Sequence, residues 1–172
     1  MTNPPILKAE LSEIKSLAFS LKAGDMLLLN GKIYTARDQA HARLCGLIKQ
    51  GEPLPVELSG AIIYYAGAAA PPPHLPIGSI GPTTSGRMDA FTPILLERGV
   101  AATIGKGPRS PEVLQSIKQY GAPYLCAIGG AGALYADCVK SARVVAFHDL
   151  GCEAIRELIV ENFPVVVGAG II

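Results

Sequence analysis

The 172-residue chain reads as a single α/β domain built on a mixed sheet. Two observations predict this. Short apolar runs of strand type alternate with segments of helical spacing, and 19 glycines and 14 prolines punctuate the junctions between them. The length suits one substantial core rather than two independent ones. The expected division is therefore one domain over 1–172, with 1–10 as an N-terminal arm.

Taken in order, Pro4 and Pro5 keep the first ten residues out of a helix, which suits a poorly ordered or partner-bound arm. Ser12, Glu13 and the spacing of Ile14, Leu17 and Leu21 predict a short helix. The run MLLLN, the Asn30-Gly31 pair and the run KIYTA predict a β-hairpin that delivers Arg37 to its far end. Asp38 is placed to cap a helix in which Ala40, Leu44, Leu47 and Ile48 recur at helical spacing. Residues 51–59 read as a connection, AIIYYA as a buried strand, and GAAAPPPHLP as an ordered crossover. Past residue 89, Phe91, Ile94, Leu95 and Arg98 predict a helix up to Gly99 with Asp89 near its start. VAATIG is a strand, Pro111–Tyr120 a helix capped by Ser110, PYLCAIG a strand, and RVVAFHDLG another. Residues 153–162 carry mixed helix and strand signals, and FPVVVGAGII ends the chain as a strand.

Charged residues make up 17% of the chain and apolar ones 49%, with a formal net charge of +1 and a pI near 7.7. That balance gives no electrostatic reason for nucleic acid or an anionic membrane as partner. The longest apolar or glycine run, 60–70, is too short to span a bilayer, so a soluble, cytoplasmic protein is expected. Low charge fits either a tight core or a surface covered by a partner. Cys45, Cys126, Cys138 and Cys152 match neither a paired zinc motif nor a ferredoxin-type run, so buried, reduced thiols are expected.

The stretch most suited to chemistry is Gly78–Asp89, GSIGPTTSGRMD. Its glycines let backbone approach a ligand, its hydroxyls donate and accept, and Arg87 offers a planar fork that matches a carboxylate. The same composition also suits a plain surface connection. Arg37 sits where a strand becomes a helix, a place that exposes N–H groups to anions, although it could equally pair with a local acid. Lys106 is held at a strand end between Gly105 and Gly107. The surrounding GVAATIGKG is no nucleotide-binding P-loop, because Gly107 stands where Ser or Thr is required and the glycine spacing is wrong. GGAGALYADC lacks the third glycine of a dinucleotide turn, so Gly129, Gly130 and Gly132 are expected to be structural. His41, His74 and His148 have no positioned partner in the pattern and carry no catalytic role.

GDMLLLNGKIYTARDQAH, IGSIGPTTSGRMD, GVAATIGKG and YLCAIGGAGALYADCVKSARVVAFHDLG, in this order, resemble the C-terminal domain or separate β subunit of the iron-sulfur class I fumarate hydratases and L(+)-tartrate dehydratases. The resemblance implies a three-layer β/β/α swivelling domain that closes over a catalytic partner. It implies a hydro-lyase active only with an α subunit, which binds the [4Fe-4S] cluster so that this chain carries no metal of its own, in an α2β2 assembly or around a β homodimer. By motif position it implies substrate contacts at Arg37, Arg87 and Lys106 and a proton-transfer role for Thr83. Thr84 and Ser85 could bind a carboxylate or merely cap the turn. Reversible hydration of fumarate to L-malate is the leading activity. The alternatives are dehydration of tartrate to oxaloacetate and a non-catalytic dicarboxylate-binding module. The GAAAPPPHLP segment and the VVVGAGII ending depart from the family's pattern, and both lie outside these contacts.

Overall fold

The computed structural model describes residues 6–170. Seven strands, β1 (Ile6–Glu10), β2 (Met26–Thr35), β3 (Ile62–Tyr64), β4 (Ala102–Gly105), β5 (Tyr124–Cys126), β6 (Val139–Ala146) and β7 (Ile155–Ala169), form one mixed sheet in the order β1-β2-β3-β4-β5-β7-β6. β2 also pairs with β7, so β2, β3, β4, β5 and β7 close into a barrel-like ring. β2 through β5 run parallel, and β7 completes the ring antiparallel to β2 and β5. Five helices accompany the sheet: α1 (Ile14–Leu17), α2 (Asp38–Gln50), α3 (Thr92–Glu97), α4 (Pro111–Tyr120) and α5 (Gly132–Asp137).

Period-two alternation assigns each strand residue to one of two cores. Ile62 and Tyr64 face a core shared with Leu27, Leu29, Leu125, Leu158 and Phe163. Ile63 and Tyr65 face a second core shared with Leu44 of α2, Leu95 of α3 and Val113 of α4. α2, α3 and α4 thus cover the outer wall of the ring, Ile14 of α1 and Tyr135 of α5 join the first core, and the parallel strands present their C-terminal ends together. In open α/β sheets that edge is where ligands bind.

Four expectations are corrected by the structure, and one open reading, residues 153–162, is resolved. Asn30-Gly31 is no hairpin turn: β2 runs straight through it, with a β-bulge where the register to β7 shifts between Leu29 and Gly31. Gly31 takes φ 119°, the conformation that makes the bulge possible, and Asn30 Oδ1 accepts the Asn162 N–H at 2.9 Å across the strands. Ile6–Glu10, within the expected arm, pairs in parallel with β2 as an edge strand; residues 1–5 lie outside the described residues. The helix expected over 90–99 is shorter, with a 3-10 turn at Ser85–Met88 ahead of it, and Asp89 does not cap it. Residues 153–162 are neither a helix nor a separate element, since from Ile155 they belong to the 15-residue β7. Its burial alternates because one face packs inward, which the mixed composition of that segment masked. His148 opens a 3-10 turn after β6 rather than ending the strand. Pro111–Tyr120 is the helix expected, and Ser110 Oγ accepts the Val113 N–H at its N-terminus.

No helix among the described residues is long and apolar enough to cross a membrane.

Candidate active site at the C-terminal ends of the parallel strands

Arg37 follows β2, Gly67 follows β3, and Lys106 and Gly129 follow β4 and β5, so four consecutive strands deliver them to one end of the ring. The Gly78–Asp89 stretch crosses this end as an extended segment. Pro82 bridges Ala66 in antiparallel fashion and Thr84 bridges Lys106 in parallel. Thr83 N–H donates to the Tyr65 carbonyl at 2.6 Å, Lys106 N–H to the Thr83 carbonyl at 3.3 Å, and Ser85 N–H to the Lys106 carbonyl at 2.8 Å. Thr83 is therefore pinned between the ends of β3 and β4, with Lys106 bonded to its main chain. Among the described residues the Thr83 and Thr84 hydroxyls make no hydrogen bond, and Thr84 is exposed.

This close threading explains Gly105. A side chain there would overlap Ser85 Oγ and lie 2.8 Å from Tyr65 Cδ2. Ser85 itself is fully buried, and its hydroxyl meets Tyr124 Oη at 2.9 Å. Tyr124 Oη donates to the Gly107 carbonyl at 2.8 Å, so it accepts from Ser85. The Ser85 hydroxyl is turned inward onto Tyr124 and, among the described residues, makes no side-chain cap at the 3-10 turn that follows Thr84.

The two arginines meet through one carboxylate. Arg87 binds Asp38 with Nε at 2.9 Å and Nη2 at 2.7 Å, and Arg37 Nε lies 4.0 Å from the same group. Arg37 Nη2 stands 3.6 Å from Glu153, and Nε is buried with no hydrogen-bond partner among the described residues. Arg37 lies across Gly67, where a Cβ would come within 2.9 Å of Nη1. Lys106 runs beside Gly129, where a Cβ would come within 3.5 Å of Nζ, and among the described residues it enters no ion pair.

Two groups lie below this surface, His41, to which the sequence pattern gives no role, and Arg109, which it does not single out. His41, one turn into α2, is fully buried; its Nδ1 meets the Arg37 carbonyl at 2.8 Å and its ring packs edge-on against Tyr65. Because the carbonyl can only accept, Nδ1 carries the proton, and burial pushes the imidazole pKa down to about 4. Arg109 is buried as well, with Nε on Asp89 at 2.7 Å. The only available signal was position: both lie on segments flanking the chemistry-bearing loops.

Among the described residues no three His, Cys, Asp or Glu side chains gather to hold a metal ion. The thiols are not all buried as expected: Cys45 is, Cys126 and Cys138 are half-buried, and Cys152 is exposed because it lies in the 3-10 turn before β7. The described residues therefore do not offer the ligand set of an iron-sulfur cluster.

The family known as Fumarase C-terminus matches residues 6–169. The chain belongs to that family. It is 44% identical over 153 residues to a Methanocaldococcus jannaschii protein that carries the name of an L(+)-tartrate dehydratase subunit beta, covering 86% of this chain and 78% of that one. It is 39% identical over 160 residues to fumarate hydratase 2 of Leishmania major, and to the same extent to the anaerobic class I fumarate hydratase of Escherichia coli. The chain spans 28% and 29% of those two proteins. A family member of this kind can thus stand as its own subunit or as one part of a longer chain.

Proposed function

We propose that this chain is the β subunit of a class I hydro-lyase that hydrates fumarate to L-malate reversibly, together with a cluster-bearing α subunit. The observation that carries the reading is the bridge of Thr84 with Lys106, which brings Thr83 and a lysine in no ion pair among the described residues to the strand end where Arg37 follows β2 and Arg87 reaches Asp38. Membership of the family supports it. The [4Fe-4S] cluster in this reading is the partner's, and the roles that follow belong to this chain alone.

A substrate with two carboxylates needs cations at both ends. Arg37 and Arg87 grip one carboxylate, with Thr84 Oγ1 as an added donor, and Lys106 takes the other. Cations gathered without an anion repel one another, and Asp38 and Glu153 offset two of them until a dianion arrives. Thr83 Oγ1 delivers a proton to the carbon next to the one that gains the hydroxyl from water, the proton that water loses restores the threonine hydroxyl, and the same transfers run backwards in dehydration. A threonine hydroxyl is a weak base, and neighbouring positive charge favours its alkoxide. The domain closes over the α subunit as a rigid three-layer swivelling unit, and closure removes water from the site.

L(+)-tartrate is the second substrate reading, favoured by the relative with the higher identity, of which the chain covers 78%. Tartrate has the same two carboxylates, and one polar contact suffices to discriminate it from malate. Anaerobic assembly with the partner, followed by assays on fumarate, malate and tartrate, decides between them. Turnover of fumarate and malate alone supports the first reading, turnover of tartrate alone the second, and binding without turnover of any of the three sinks both.

A further inference from the structure

Arg109 is a buried cation that none of the roles above employs. Its side chain is 1% exposed. The guanidinium lies over two aromatic rings, 5.3 Å from the Tyr65 centroid and 4.9 Å from that of Tyr124. Nε donates to Asp89, Nη2 to Thr92 at 2.7 Å and to Tyr65 Oη at 3.5 Å, and Nη1 to Thr103 at 3.3 Å. The hydroxyls around it form a closed chain: Thr92 donates to the Met88 carbonyl, which leaves Tyr65 as donor to Thr92.

Every one of these partners is tied to a strand or loop that carries a proposed substrate group. The Tyr65 carbonyl accepts the Thr83 N–H, and the Tyr124 hydroxyl holds Ser85 and Gly107, which flank Thr84 and Lys106. Asp89 follows the 3-10 turn that contains Arg87, and its second oxygen takes the Ser110 N–H at 2.7 Å. One planar fork therefore braces both sides of the Thr84–Lys106 bridge from underneath. A lysine could keep the charge but could not span four acceptors in one plane.

We propose that Arg109 is a positioning residue that holds the Thr83 hydroxyl and the Lys106 ammonium in register without touching substrate. This rests on the reading that those two groups act on a dicarboxylate. Misplacement by about 1 Å costs on the order of 10²-fold in rate, so Arg109→Lys, in the assembly with the cluster-bearing subunit, should lose kcat by about that factor with KM little changed. The same substitution should speed amide hydrogen exchange at Thr83, Ser85 and Lys106 by roughly tenfold or more, while Ile104 and Leu125 in β4 and β5 keep their protection. Tyr124→Phe, which deletes one hydroxyl from the brace, should shift both readouts the same way by less, and it decides the matter if Arg109→Lys does not fold. Wild-type kcat with unchanged exchange overturns the proposal, and so does exchange that rises uniformly across β4 and β5, since that is general destabilisation. If the unsubstituted assembly turns over no dicarboxylate, the functional reading falls, and exchange at the three amides still decides whether Arg109 braces the loop.

Discussion

Arg87 and Arg37 are joined through Asp38, which takes both donors of the Arg87 fork and lies 4.0 Å from Arg37 Nε. The pair with Arg87 is half-exposed, so its share of folding stability is small. Its effect is on aim. Asp38→Asn should leave thermal unfolding within about 1 kcal/mol of the parent and raise KM for the dicarboxylate about tenfold, the equivalent of about 1.4 kcal/mol. Calorimetry and steady-state kinetics on the same preparation check both halves.

In the proposed reading, Thr83 separates chemistry from binding. Thr83→Ala should lower kcat by about 10²- to 10⁴-fold, the usual worth of a positioned proton-transfer group, with KM little changed. Thr83→Ser keeps the hydroxyl and should retain most of the rate. Equal loss in the two variants would assign the residue to packing.

Lys106 enters no ion pair among the described residues, so replacing it should cost little stability. Lys106→Gln should stay within about 0.5 kcal/mol of the parent in urea unfolding. Its loss should appear in dicarboxylate affinity, by roughly 1.5–3 kcal/mol for a charge-assisted hydrogen bond. Isothermal titration against fumarate measures it.

Gly105→Ala forces a methyl group against Ser85 Oγ and the Tyr65 ring. Overpacking of this kind costs about 1–3 kcal/mol. Combining it with Ser85→Gly should restore part of that loss, because the two positions are in contact and their effects do not add. Denaturant midpoints of the two single variants and the double variant give the coupling.

His41 predicts a pH dependence. Its folded pKa, pushed down to about 4, lies below the unfolded value of 6.5, so the unfolded state takes up the proton first as pH falls. Stability contributed by the neutral ring is complete above pH 6.5 and is lost toward pH 4, at about 1.4 kcal/mol per pH unit. Unfolding titrations between pH 7 and pH 5, above the carboxylate range, should show this slope in the parent and not in His41→Leu.

Much of this fold could be read from local pattern, and the exceptions have physical causes. Pro111–Tyr120 carries its own cap and its own periodicity, so nothing distant had to be known. Asn30-Gly31 also has a strong local signature, but pairing with residues 160–163 makes it a bulge inside one strand. Arg37, Arg87 and Lys106 were visible as cations beside glycines or strand ends. Asp38 as the shared partner of two of them, and Arg109 beneath them, depend on contacts between segments 20 to 50 residues apart, which no window of sequence displays.

The closed ring has a consequence for how the chain reaches this state. Its final seam joins Met26 to Val166 and Thr35 to Arg156, residues more than a hundred positions apart. Loop-closure entropy for that seam is settled late, and topologies dominated by such distant pairings fold on the slow, millisecond-to-second side of the range. Until the last long strand docks, β2 and β5 each show a bare row of amides and carbonyls, so the interval of greatest aggregation risk comes near the end of folding.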